Sequence, residues 1–376
     1  MIKRISLVFI ITTIISLPFY LNAQNNSRED KELREKISQM LIIGFRGMEL
    51  SPKNEIYDLI AKEKIGGVIL FDYDVPSKKA KRNIENPNQL RSLCAEMQKL
   101  GNNRLFISID QEGGKVSRLK EKYGFPPSVS QQYLGDNNNP IITKEWASRS
   151  ARNLKSLGIN LNFTPSVDVN VNTDCPIIGK LERSFSEDAE QVVKHAKIVI
   201  EEHNKQGIIT TIKHFPGHGS SKSDTHKGIS DITNTYDPKE LVPFKELIEE
   251  GYVDLVMTSH VFNANFDSLY PSTMSYNTLT NMLKVQMGFK GIIISDDMAM
   301  GAIAKEYDLE TCLEKAINAG VDMFIFSNNG DKYDKEIGYK AIETIFQLVK
   351  QGRVDKSKIT NSYGKILKLK SDKGLQ

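Results

Sequence analysis

Eight short apolar runs recur along this chain at regular intervals, and they constrain its fold more than any other feature. They are MLIIGF (40–45), GGVILF (66–71), LFISID (105–110), INLNFTPSVDV (159–169), IITTIKH (208–214), VDLVMTSH (253–260), KGIIISDD (290–297) and VDMFIFSN (321–328). Each is rich in β-branched residues and apolar on both faces, as a strand buried on both sides of a parallel sheet must be. Between them lie amphipathic stretches such as SPKNEIYDLIAKEKIG, DAEQVVKHAKIVIEEHNKQG and DPKELVPFKELIEEG. These open on Ser or Asp and close on Gly, the punctuation of helices. The strand–helix unit repeats without a linker or a break in composition. It predicts an α/β fold, a closed (β/α)8 TIM-type barrel in a single domain, with an open doubly wound sheet as the alternative. DKEIGYKAIETIFQLVKQG and KSKITNSYGKILKLK predict extra C-terminal helices.

The barrel is expected over residues 34–372, after a polar leader at 24–33. Residues 1–23, MIKRISLVFIITTIISLPFYLNA, place Lys3 and Arg4 before an apolar run that ends at the small residue Ala23. That order predicts a cleaved signal peptide and a periplasmic or secreted protein; Pro18 interrupts the run, which argues against an uncleaved membrane anchor. Formal charge is +3, and removal of Lys3 and Arg4 lowers it by two to +1. A chain so balanced offers no electrostatic footprint for nucleic acid or for an anionic membrane. Cys94, Cys175 and Cys312 are widely spaced and odd in number, which argues against a disulfide framework or a thiolate metal site and leaves open one bridged pair in an oxidising compartment.

In a barrel the chemistry sits where strands end and βα loops begin. Five runs end in polar or titratable groups: Asp110, Asp168, Lys213 with His214, His260, and Asp296 with Asp297. A barrel without a site has no reason to concentrate charge there. The fifth run leads into KHFPGHGSSKSDTHKG (213–228), which holds three of the six histidines. The length of this loop predicts a functional lid, with Gly217, Gly219 and Gly228 as hinges.

Two chemistries fit this set. In one, His214, His218, His226, Asp224 and Asp296 hold a divalent ion, although a Gly/Ser loop is a poor scaffold for metal ligands. In the other, a strand-end carboxylate works against a loop-borne histidine. Asp224, two residues before His226, would accept a hydrogen bond from one ring nitrogen and raise the basicity of the other.

KHFPGHG followed by the DTH triplet, together with IDQEGGKVSRL and SDDMAM, resembles glycoside hydrolase family 3, in its β-N-acetylhexosaminidase branch. The likeness runs from about residue 34 to SYGKILKLK. It implies a metal-free, cofactor-free enzyme with Asp296 as nucleophile, His226 as acid/base and Asp224 as the partner that orients it. The residues matching the family's sugar-holding positions are Asp110, Arg118, Arg183, Lys213 and His214. One departure stands out: the family commonly has one residue between IG and RSF, whereas IIGKLERSF has three, Lys180, Leu181 and Glu182.

The resemblance thus implies a retaining hydrolase that removes terminal β-linked N-acetylglucosamine; the charge balance adds the expectation of no nucleic-acid partner and no membrane association after signal removal. Peptidoglycan fragments, chitin oligomers and host glycans all fit as substrates. A histidine base repels an anion less than a carboxylate does, so a phosphorylase on the same sugar is the enzymatic alternative. A catalytically silent glycan-binding protein is the other.

Overall fold

The computed structural model describes residues 28–225 and 228–375. Eight parallel strands close into a barrel: β1 (Leu41–Gly44), β2 (Gly67–Leu70), β3 (Phe106–Ile109), β4 (Leu161–Asn162), β5 (Ile209–Phe215), β6 (Leu255–Thr258), β7 (Ile292–Asp297) and β8 (Met323–Phe326). Each pairs with the next, and β1 closes against β8 through Leu41–Phe324, Ile42–Ile325 and Ile43–Phe326. All eight lie at or within one residue of the predicted runs, and the open sheet is excluded.

Side chains of the strands fill the barrel rather than line a pore. Every residue of β1, β2, β3, β5 and β8 is buried. Burying an Ile, Val or Leu contributes roughly 1.5–3 kcal/mol each, so the ring of strands anchors one continuous core with the surrounding helices.

The helices follow their signals. Asn86 caps Pro87–Leu100 by accepting from Asn88 and Gln89, Asp188 caps Ala189–Asn204, and Asp308 caps Leu309–Ala319. The expected terminal helices are Ile337–Lys350 and Lys356–Asp372. Cys94, Cys175 and Cys312 are buried free thiols. No described helix is long and apolar enough to cross a membrane; the expected signal peptide lies outside the described residues.

Two additions decorate the C-terminal rim. A small antiparallel hairpin pairs Tyr73–Asp74 with Lys79–Ala80 after β2. Ser230–Asp231 pairs with Val261–Phe262, returning the long loop after β5 to the rim beside β6.

Candidate active site

Strand β5 is the axis of the site. It delivers Lys213 and His214 to the rim, both buried, and buried charges persist only when paired. Lys213 Nζ donates to Asp110 Oδ1 at 3.0 Å and lies 2.6 Å from Glu112 Oε1. Glu112 also takes a two-point grip from Arg183, Nε to Oε2 at 2.9 Å and Nη2 to Oε1 at 2.8 Å. Arg118 Nη2 reaches Asp110 Oδ2 at 3.5 Å. Burial alone would raise the pKa of both carboxyls, but the adjacent cations outweigh it: Asp110 is lowered, and Glu112 is held at about 2 by Arg183 and Lys213.

His214 is fixed at both ring nitrogens. Arg183 Nη2 donates to Nε2 at 3.0 Å, which leaves the proton on Nδ1 to be donated to Asp168 Oδ2 at 2.6 Å. Asp168, fully buried at the end of the fourth run, also accepts from Ser166 Oγ and from the backbone N–H groups of His214 and His218. Burial pushes its pKa up, but His214 and these donors prevail and it ends well below the usual carboxylate range.

The loop after β5 begins as a tightly held turn. The consecutive amides of His218 and Gly219 are each taken by a buried carboxyl, at 2.8 Å from Asp168 Oδ1 and 2.7 Å from Glu240 Oε2. Gly217, at φ +128°, passes so close that a Cβ would sit 2.6 Å from that of Glu240, and a Cβ on Gly219 would overlap the Val169 carbonyl oxygen. These two glycines permit close packing, which corrects the expectation that they act as hinges; a Cβ on Gly228 would meet nothing within 4 Å. His218 Nδ1 pairs with Ser221 Oγ at 2.6 Å and Nε2 with Thr225 Oγ1 at 3.3 Å, and burial lowers its pKa to about 3, so the ring stays neutral.

Asp296 lies at the end of β7 (Ile292–Asp297), two strands along the rim from β5. Its Oδ1 accepts the Asp297 N–H at 2.8 Å, which orients the carboxyl. Asp297 turns the other way, accepting from Ser327 Oγ, Ser327 N and Ala299 N, and burial raises its pKa. His260 bonds Thr273 Oγ1 and the Asp297 carbonyl, a structural strut.

Asp110, Arg118, Arg183, Lys213, His214 and Asp296 therefore line one cavity of about 260 Å³, with Thr225 in its wall. Asp110, Arg118 and Asp296 also border a second, wider space of about 800 Å³. Asp224 is partly exposed, next to Thr225. His226 lies outside the described residues. The longer spacer before Arg183, two residues more than the family's one, does not displace it: Lys115 pairs with Glu182 at 2.7 Å and donates to the Lys180 carbonyl, and Leu181 joins the cavity wall.

Of the donors the metal reading names, His214 and His218 have both ring nitrogens engaged by protein groups, and His226 lies outside the described residues.

The chain is similar to known proteins along nearly all of its described length. The Glycosyl hydrolase family 3 N terminal domain pattern matches residues 32–369. Beta-hexosaminidase A of Pseudoalteromonas piscicida is 30% identical over 344 residues, covering 84% of this chain and 55% of that protein. The beta-hexosaminidase of Tolumonas auensis is 32% identical over 292 residues, 77% of this chain and 83% of its own. The solved glycoside hydrolase family 3 beta-N-acetylglucosaminidase from Paenibacillus sp. str. FPU-7 superimposes with a TM-score of 0.82 at 32% identity, over 91% of this chain and 62% of that one. This chain thus spans about half the length of the Pseudoalteromonas relative and under two thirds of the Paenibacillus chain. With the match running through all eight strands and both halves of the rim, the chain belongs to glycosyl hydrolase family 3, by that family's N-terminal domain.

Proposed function

We propose that the protein is a retaining β-N-acetylhexosaminidase that releases terminal β-linked N-acetylglucosamine. The observation that carries this reading is the position of Asp296 between a polar pocket of about 260 Å³, on the scale of one sugar, and a wider space of about 800 Å³ for the leaving group. The names of the similar proteins support the sugar.

Asp110, Lys213, Arg118, Arg183 and His214 hold hydroxyl and acetamido groups; Glu112 keeps Lys213 and Arg183 in place, and Asp168 keeps His214 in place. The Asp296 carboxylate attacks the anomeric carbon as the glycosidic C–O bond breaks. His226, oriented by Asp224, gives its proton to the departing oxygen. The neutral imidazole then takes a proton from water, whose oxygen attacks the same carbon and breaks the ester to Asp296. Two displacements return the β configuration.

The expected leader places this activity outside the cytoplasm, where wall fragments, chitin oligomers or host glycans are the substrates. Proton NMR of the first-formed sugar tests the reading: the β-anomer appears first, in buffer with or without phosphate. Initial α-anomer overturns retention, and a sugar 1-phosphate formed when phosphate is supplied makes the protein a phosphorylase.

A further inference from the structure

The hairpin after β2 is small yet heavily pinned. The Asp74 carboxylate accepts from Arg46 Nε at 3.0 Å, Arg46 Nη2 at 2.9 Å, Arg82 Nη1 at 2.9 Å and Ser77 N at 3.1 Å. Arg82 is itself buried and donates to the carbonyls of Phe45, Ser327 and Asn328. Asn329, beyond β8, clamps the tip from the other side: its Oδ1 accepts from Val75 N at 2.9 Å, and its Nδ2 donates to Tyr73 O at 3.0 Å. Two two-residue strands alone have no such stability, so the rim spends buried charge to hold this hairpin in one place.

What it holds is Tyr73. The residue is 41% exposed, and among the described residues its ring makes no aromatic or cation contact and its hydroxyl no hydrogen bond. It lines the wide space that Asp296 borders. An aromatic face with a polar tip, carried on a pinned backbone, partly wet and open to a site, is suited to stacking on a flat, partly apolar partner. Sugar pyranoses present such a face through their axial C–H groups.

We infer that Tyr73 is a leaving-group subsite: it stacks on the first pyranose beyond the scissile bond, so the substrates are oligosaccharides or glycoconjugates in which N-acetylglucosamine is linked to another sugar. This rests on the glycosidase reading above and deepens it. The pinned hairpin keeps the Tyr73 backbone beside the wide space before substrate arrives.

The test compares kcat/KM on N,N′-diacetylchitobiose with that on the β-fluoride of N-acetylglucosamine, whose leaving group has no ring. Tyr73→Ala lowers the disaccharide-to-fluoride ratio about fivefold. Tyr73→Phe, which keeps the ring, holds the ratio within about twofold of wild type. A ratio unmoved by Tyr73→Ala overturns the subsite, and so does an equal fall in both variants. Titration calorimetry of the disaccharide into Asp296→Asn, with and without Tyr73→Ala, reads the same contact without turnover: affinity weakens about fivefold, and unchanged affinity overturns the inference. If the wild type cleaves neither compound, the glycosidase reading fails and the calorimetry alone decides the subsite.

Discussion

The carbonyl oxygen of Thr225 accepts a hydrogen bond from the backbone N–H of Ala302 at 3.0 Å. Thr225 directly precedes His226, and Ala302 lies in the short helix Gly301–Ala304 that follows Asp296 by five residues. The segment expected to carry the proton donor is thereby tied to the segment that carries the proposed nucleophile. The Thr225 hydroxyl adds a second tie, to His218 Nε2.

Thr225→Val keeps the shape and deletes that hydroxyl. A buried imidazole nitrogen left without a partner costs about 1–3 kcal/mol, so chemical denaturation is expected to show a stability loss of about 1 kcal/mol. Turnover of an alkyl or sugar glycoside falls more than that of a nitrophenyl glycoside, because only the former depends on the placement of the proton donor.

His226→Ala carries the same logic further. Proton transfer by a positioned side chain contributes roughly 10²–10⁴-fold, and glycosides with poor leaving groups are expected to lose that much while activated aryl glycosides lose far less. Steady-state kinetics on the two substrate types checks this; an equal loss on both removes His226 from the acid role.

Glu112→Gln removes the carboxylate shared by Arg183 and Lys213. Breaking a buried charge pair costs about 3–5 kcal/mol, so unfolding at pH 7 is expected to require about 3 kcal/mol less. Misplaced sugar-holding groups lower kcat/KM by about 100-fold. The native Glu112 is held at about 2, well below its unfolded value. Its stabilisation is therefore present above about pH 4.5 and is lost as pH falls toward 2.

Glu240 has the opposite sign. Burial raises its pKa to about 8, so between about pH 4.5 and 8 the native state binds a proton that the unfolded state has released, and stability falls as pH rises through that window. Glu240→Gln carries no such proton. Melting temperatures from pH 5 to 8 are expected to decline more in the wild type than in the variant; parallel curves contradict the assignment.

Much of this molecule was legible in its sequence, for identifiable reasons. A parallel barrel strand is buried on both faces, so IITTIKH and KGIIISDD announce themselves through composition alone. Asp110, Arg118, Lys213 and His214 stand at strand ends or in the loop just after, where chain position implies a place on the rim. The residues behind them were not legible. Glu112 sits in a glycine-rich turn and Glu240 at the start of an amphipathic stretch, where a carboxylate looks solvated; only the folded chain shows each buried against loop 213–220. Asp168 was readable as a strand end but not as the partner that fixes the His214 tautomer. Gly217 and Gly219 carry the residue type of a hinge while meeting the need of a close approach, and sequence does not separate the two. Tyr73 and its hairpin, with two-residue strands, leave no alternation to read.

The account's central claim is that Asp296 forms the covalent bond to sugar. Incubation with a 5-fluoro glycosyl trap of N-acetylglucosamine, followed by protease digestion and peptide mass mapping, tests it most directly. The account predicts one equivalent of label on the peptide that spans IIISDDMAM, absent from Asp296→Asn. Label on a peptide lacking Asp296, or undiminished label in that variant, would contradict it.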